Sequence, residues 1–107
     1  MISFEEFENL FYRASGEPEF EVIFRSNSRT YMIIKYDDHV SFQRCGLYDG
    51  SGESNYSTLR ELYKAELIDE IKLKDMWNEI ETIIADATFD LSLPSELADF
   101  ISVRCGN

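Results

Sequence analysis

Residues 20–45, FEVIFRSNSRTYMIIKYDDHVSFQRC, decide the fold. Asp37-Asp38 divides two apolar-rich runs, Thr30 to Tyr36 and His39 to Cys45. Asp tolerates the positive φ that a two-residue hairpin loop requires. With that loop, Tyr36 faces His39, Lys35 faces Val40, Ile33 faces Phe42 and Tyr31 faces Arg44. A second two-residue loop at Asn27-Ser28 sets Phe24 against Tyr31 and Val22 against Ile33.

Side chains alternate faces along a strand. One face then collects Phe20, Val22, Phe24, Tyr31, Ile33, Val40 and Phe42, with Lys35 and Arg44 at its ends. Two independent turn choices agree on this apolar face, and a slip of one residue would scramble it. The second face is mixed. Ile23, Met32, Ile34 and Tyr36 form an apolar strip on it, bordered by polar groups. Such a strip is either covered by a helix or loop, or it receives a partner.

Outward from the meander, Ser3-Phe4-Glu5-Glu6 matches a capping box, with Ile2 and Phe7 as a hydrophobic staple. Phe4, Phe7, Leu10, Phe11 and Ala14 recur at helical spacing and predict a helix over 3–14. Gly16 suits a left-handed closing position, and Pro18 blocks continuation. Residues 46–55 read as a loop by composition. Gly50-Ser51-Gly52 lacks the Lys and Ser/Thr of a phosphate-binding loop, and Asp49, Ser51 and Glu53 lack the rest of a calcium loop.

Thr58 caps a further predicted helix, with Glu61 at its third position. The helical phase breaks near 67–72. Leu73, Met76, Trp77, Ile80, Ile83, Ile84 and Ala87 then fall three or four apart and predict a helix over 73–87, with Trp77 as a core anchor. One long kinked helix is the rival reading of 57–87. Pro94, Leu97, Ala98, Phe100 and Ile101 predict a last helix over 94–103. The expected fold is α+β: an N-terminal helix, a three-stranded antiparallel meander, then three helices packed against the sheet, in one domain over 1–107.

The chain has 107 residues and a net charge of −11. A chain of this length buries about 60–68% of its unfolded surface without staples. The charge is uneven. Residues 1–19 carry five acids and one base, 20–45 three acids and four bases, and 46–107 thirteen acids and five bases. A field of that sign disfavours nucleic-acid backbones and anionic membranes and favours basic partners. No apolar run approaches the ~18 residues of a membrane span, and Met-Ile-Ser-Phe-Glu-Glu does not resemble a signal peptide. The expected location is the cytoplasm. Cys45 and Cys105 are too few for a disulfide framework and stand in no Cys-x-x-Cys pair.

Chemistry leaves few marks. His39 is the one histidine, at a hairpin end, with no nucleophile set beside it by any motif. No zinc-ligand spacing, cofactor motif or family-specific motif occurs, so no cofactor, metal or catalytic residue is assigned. The expected function is a non-enzymatic protein-binding module, an adaptor or inhibitor. It would dock another protein, basic in character, or a second copy of itself. The expected contacts are the strip Ile23, Met32, Ile34 and Tyr36 and an acidic helical surface with Glu61, Asp75, Glu79 and Asp86. Two rival readings stand. One is a carboxylate enzyme or metal-dependent protein using Asp37, Asp38, Asp49 and Glu53. The other is a DNA mimic whose acids also include Asp69, Glu70 and Glu81.

Overall fold

A computed structural model describes residues 2–27, 29–46, 52–89 and 101–104, with the backbone alone at 87–89 and 101–104. The chain folds as α1 (Phe4–Arg13), β1 (Ala14–Phe24), β2 (Thr30–Lys35), β3 (Val40–Arg44), β4 (Glu53–Tyr56), α2 (Leu59–Lys64), α3 (Leu73–Met76), β5 (Ile80–Phe89) and β6 (Ile101–Arg104). Single 3-10 turns lie at Ile68–Glu70 and Trp77–Glu79.

The sheet has six strands in the order β4-β3-β2-β1-β5-β6. The first five are antiparallel and β6 runs parallel to β5. The class is α+β, but the expected layout of three strands followed by three helices is wrong. Among the described residues only two α-helices follow β4, of six and four residues. The expected loop over 46–55 gives way at Glu53 to β4. The expected helix over 73–87 stops at Met76, turns through Trp77–Glu79 and becomes β5. The expected helix over 94–103 lies mostly outside the described residues, and at Ile101 the backbone is β6.

The β5 misreading has a physical cause. Val22 pairs with Ile83 and Ile23 with Thr82, but Phe24 pairs with Ile80. A β-bulge therefore inserts one extra residue into β5. The inward-facing positions become Ile80, Ile83 and Ala85, all with exposure of 0%. The spacing of three from 80 to 83 imitates a helical stripe. The segment is also rich in Ile and Thr, whose branched Cβ suits a pleated surface.

The meander register holds on one side. β2 and β3 pair Tyr31 with Arg44, Ile33 with Phe42 and Lys35 with Val40, as the Asp37-Asp38 loop requires. Between β1 and β2 the register is two residues away from expectation. Val22 pairs with Tyr31 and Phe20 with Ile33. Between the two strands, Asn27 Oδ1 accepts from the Arg29 amide at 2.9 Å. A slip of two preserves the faces. Phe20, Val22, Phe24, Tyr31, Ile33, Val40 and Phe42 are all buried on one side.

Those residues share one core with Phe4, Phe7, Leu10 and Phe11 of α1, Leu59 and Leu62 of α2, and Leu73 and Trp77. The helices thus lie on the inner face of the sheet. Each fully buried Phe or Leu contributes about 1.5–3 kcal/mol, enough for this face to set the register. Ser3 caps α1 with the expected reciprocal bonds, Glu6 N–H to Ser3 Oγ and Ser3 N–H to Glu6 Oε1, both 3.1 Å. Thr58 Oγ1 caps α2 by accepting from the Glu61 amide at 3.1 Å. Trp77 packs edge-on against Phe4 and donates its indole N–H to the Ile2 carbonyl at 3.0 Å, which makes it a core anchor. Gly16 is left-handed at φ 71°, but it sits in a β1 irregularity and does not close the helix.

Candidate interaction surface

Pleating sends the alternate residues of the sheet to the outer face, away from the helices. β1 contributes Glu19, Glu21 and Ile23, and β2 contributes Met32 and Ile34. β5 contributes Thr82, Ile84 and Asp86. Ile23, Met32, Ile84 and, just past β2, Tyr36 are half-buried. Ile34 is 7% exposed yet stands outside the main core cluster. Among the described residues, the buried side chains of the helices join the inner-face core.

Cross-strand register orders this surface. Glu19 on β1 stands between Ile34 and Asp86, and Glu21 stands between Met32 and Ile84. Ile23 stands between Thr30 and Thr82. Two carboxylates, Glu19 and Asp86, are therefore direct cross-strand neighbours, an arrangement that repels. The β1 acids Glu21 and Glu19 also act on Cys45. Burial, followed by the charges of Glu21 and Glu19, pushes its thiol above the ordinary value.

The structure joins the expected strip Ile23, Met32, Ile34 and Tyr36 to Asp86. It does not join the other expected acids to them. Glu61 lies in α2 and accepts from the Ser57 amide at 3.1 Å. Asp75 lies in α3, and Glu79 in the turn before β5. Because 80–89 is a strand, Glu79, Glu81 and Asp86 do not share a helix, and the continuous acidic helix behind the DNA-mimic reading is absent. Sequence reasoning missed Glu19, Thr82 and Ile84. The alternation Pro18-Phe20-Val22 against Glu17-Glu19-Glu21 signals the longer β1.

The acids of the enzyme reading are dispersed. Asp37 and Asp38 are exposed in the β2–β3 turn, and Asp49 lies outside the described residues. Asp38 Oδ1 meets His39 Nδ1 at 2.6 Å, which holds the Asp38 carboxyl below its usual value, and the His39 ring stacks on Tyr36. Glu53 Oε2 accepts from Gln43 Nε2 at 2.8 Å, and Gln43 also donates to the fully buried Ser41 hydroxyl. Among the described residues no three His, Cys, Asp or Glu side chains group as metal ligands. No described helix is long and apolar enough to cross a membrane.

A second cluster is built around Asp69. Its carboxylate accepts from the Tyr31 hydroxyl at 2.7 Å and from Arg44 Nη1 and Arg29 Nη1, each at 3.0 Å. Asn27 Nδ2 completes the Tyr31 hydroxyl at 3.0 Å. These bonds satisfy the groups they join, so the cluster anchors the turn after α2 to the sheet.

Comparison with protein-family models, curated proteins and solved structures finds no match.

Proposed function

We propose that this chain is a non-enzymatic protein-binding module, an adaptor or inhibitor, that docks another protein through the outer face of its sheet. The observation that carries the reading is the strip Ile23, Met32, Ile34 and Tyr36, extended by Ile84, on the side opposite the described helices. Aliphatic side chains rimmed by polar groups on such a face mark interaction surfaces. A sheet face is also broad and shallow, which suits recognition of a surface more than enclosure of a small substrate.

The test is comparative capture from source-cell lysate. Wild type and the double variant Ile23→Lys/Met32→Lys serve as baits after urea unfolding has shown equal stability. A partner retained by wild type and lost by the variant supports the reading. Equal recovery on both baits, or no partner on either, overturns it.

A further inference from the structure

We infer that the Asp69–Glu70 tip of the turn after α2 is a sprung latch: the Asp69 carboxylate holds it shut against the sheet, and loss of that charge lets the tip open while the sheet stays folded. This inference is independent of the docking reading above.

Three observations carry it. First, the closed tip is strained. The Ile71 amide donates to the Ile68 carbonyl at 3.4 Å and closes a turn whose two central residues, Asp69 and Glu70, have φ of 62° and 61°. Side chains with a Cβ resist that backbone, and it persists only where the surroundings enforce it. Second, the base of the turn is fixed and the tip is not. Leu67 and Ile71 are buried, and the Leu67 amide donates to the Ile71 carbonyl at 2.6 Å. Asp69 and Glu70, between them, are exposed. The tip can therefore change its backbone without drawing either anchor out of the core.

Third, the restraint comes through one side chain and from one direction. Asp69 Oδ2 accepts from the Tyr31 hydroxyl at 2.7 Å and meets Arg29 Nη1 at 3.0 Å. Arg44 Nη1 reaches both carboxylate oxygens, at 3.0 and 3.3 Å. Tyr31 lies in β2, Arg44 in β3, and Arg29 immediately before β2; these are the titratable and charged groups that face Asp69. Hydrogen bonds to an ionised carboxylate are about twice as strong as neutral ones. Protonation of Asp69 weakens all of them together, while the backbone strain is unchanged. The balance then moves toward an open tip, which frees both guanidinium groups and the Tyr31 hydroxyl. Openings of this kind, confined to a few residues, are a recognised low-cost excursion of a folded chain.

The experiment is amide hydrogen exchange followed by NMR on the full chain, with Ile71 reading the turn and the amides of β2 reading the sheet. In wild type, the Ile71 amide should open more often than those of β2, and its opening should not change in low urea, whereas that of β2 should. Asp69→Ala should raise the Ile71 opening constant by about tenfold. That ratio of variant to wild type should fall toward one as pH drops below the carboxylate range. Glu70→Gly, which relieves strain and leaves the tie intact, should lower the Ile71 opening constant by about two- to fivefold, and it serves if the Ala variant misfolds. An Ile71 amide that opens only with β2, at the same constant and urea dependence, overturns the latch. So does an opening constant that Asp69→Ala leaves unchanged, or a ratio that does not vary with pH.

Discussion

Asp69 and Glu70 are consecutive non-glycine residues in the left-handed region, at φ 62° and 61°. Each pays about 1–2 kcal/mol for that backbone. At Asp69 three donors offset the cost; Glu70 is exposed, so its cost is open to relief. Glu70→Gly should therefore stabilise the protein by about 0.5–1 kcal/mol in urea unfolding, the strain relief less the added entropy of the unfolded chain. Loss of stability would show that the Glu70 side chain contributes more than its backbone costs. Asp69→Ala should destabilise by about 1–3 kcal/mol, because it removes the acceptor of a buried tyrosine hydroxyl and leaves the strain. The Tyr31 hydroxyl, then Arg44 and Arg29, hold the Asp69 carboxyl below its ordinary value against the opposing effect of burial. A lowered folded value means stability that is complete above the ordinary carboxylate range and is lost as pH falls through the lowered value. The penalty of Asp69→Ala should thus be full at neutral pH and shrink below about pH 4. A penalty independent of pH would mean that the charge plays no part. None of this cluster was legible beforehand, because Tyr31, Arg44 and Asp69 are far apart in the chain and converge only when the turn after α2 closes over the sheet.

At the scale of elements, legibility tracked how local the determining signal was. The α1 cap, the α2 cap and the β2–β3 turn are each specified within a few residues, and each stands where the residues place it. The β1–β2 connection depends on Asn27 reaching both the Arg29 amide and the Tyr31 hydroxyl, so a two-residue loop was the wrong template. β5 was hidden by its bulge and by the need of β1 for a partner on its second edge, which no local pattern records. Of the proposed interaction surface, the β2 half was legible and the β5 half was not. The difference between helix and strand at 80–86 is directly measurable. A helical stripe would bury Ile83 and Ile84 alike; the strand buries Ile83 completely and leaves Ile84 half-exposed on the outer face. Ile83→Ala should cost about 2–4 kcal/mol and Ile84→Ala less than about 1 kcal/mol. Comparable costs for the two would contradict the strand assignment.

The whole molecule sets twenty-one acids against ten bases. Its described ion pairs, Arg29–Asp69, Arg44–Asp69 and Arg60–Glu8, are few beside that surplus. Repulsion should outweigh the attraction that salt removes, so the thermal midpoint should rise as NaCl is increased from about 10 mM to about 0.3 M. A falling midpoint would mean that the ion pairs dominate. The position of β1 has a further consequence for how the protein is made. β2 lies along one margin of β1, and β5, much later in the chain, lies along the other. Until residues 80–89 leave the ribosome, the middle strand of the finished sheet is a raw edge whose amides and carbonyls await company. The nascent chain must carry that sticky margin until every element between β1 and β5 has been made, and a translational pause before Ile80 would prolong the interval in which a chaperone, or a neighbouring nascent chain, competes for it.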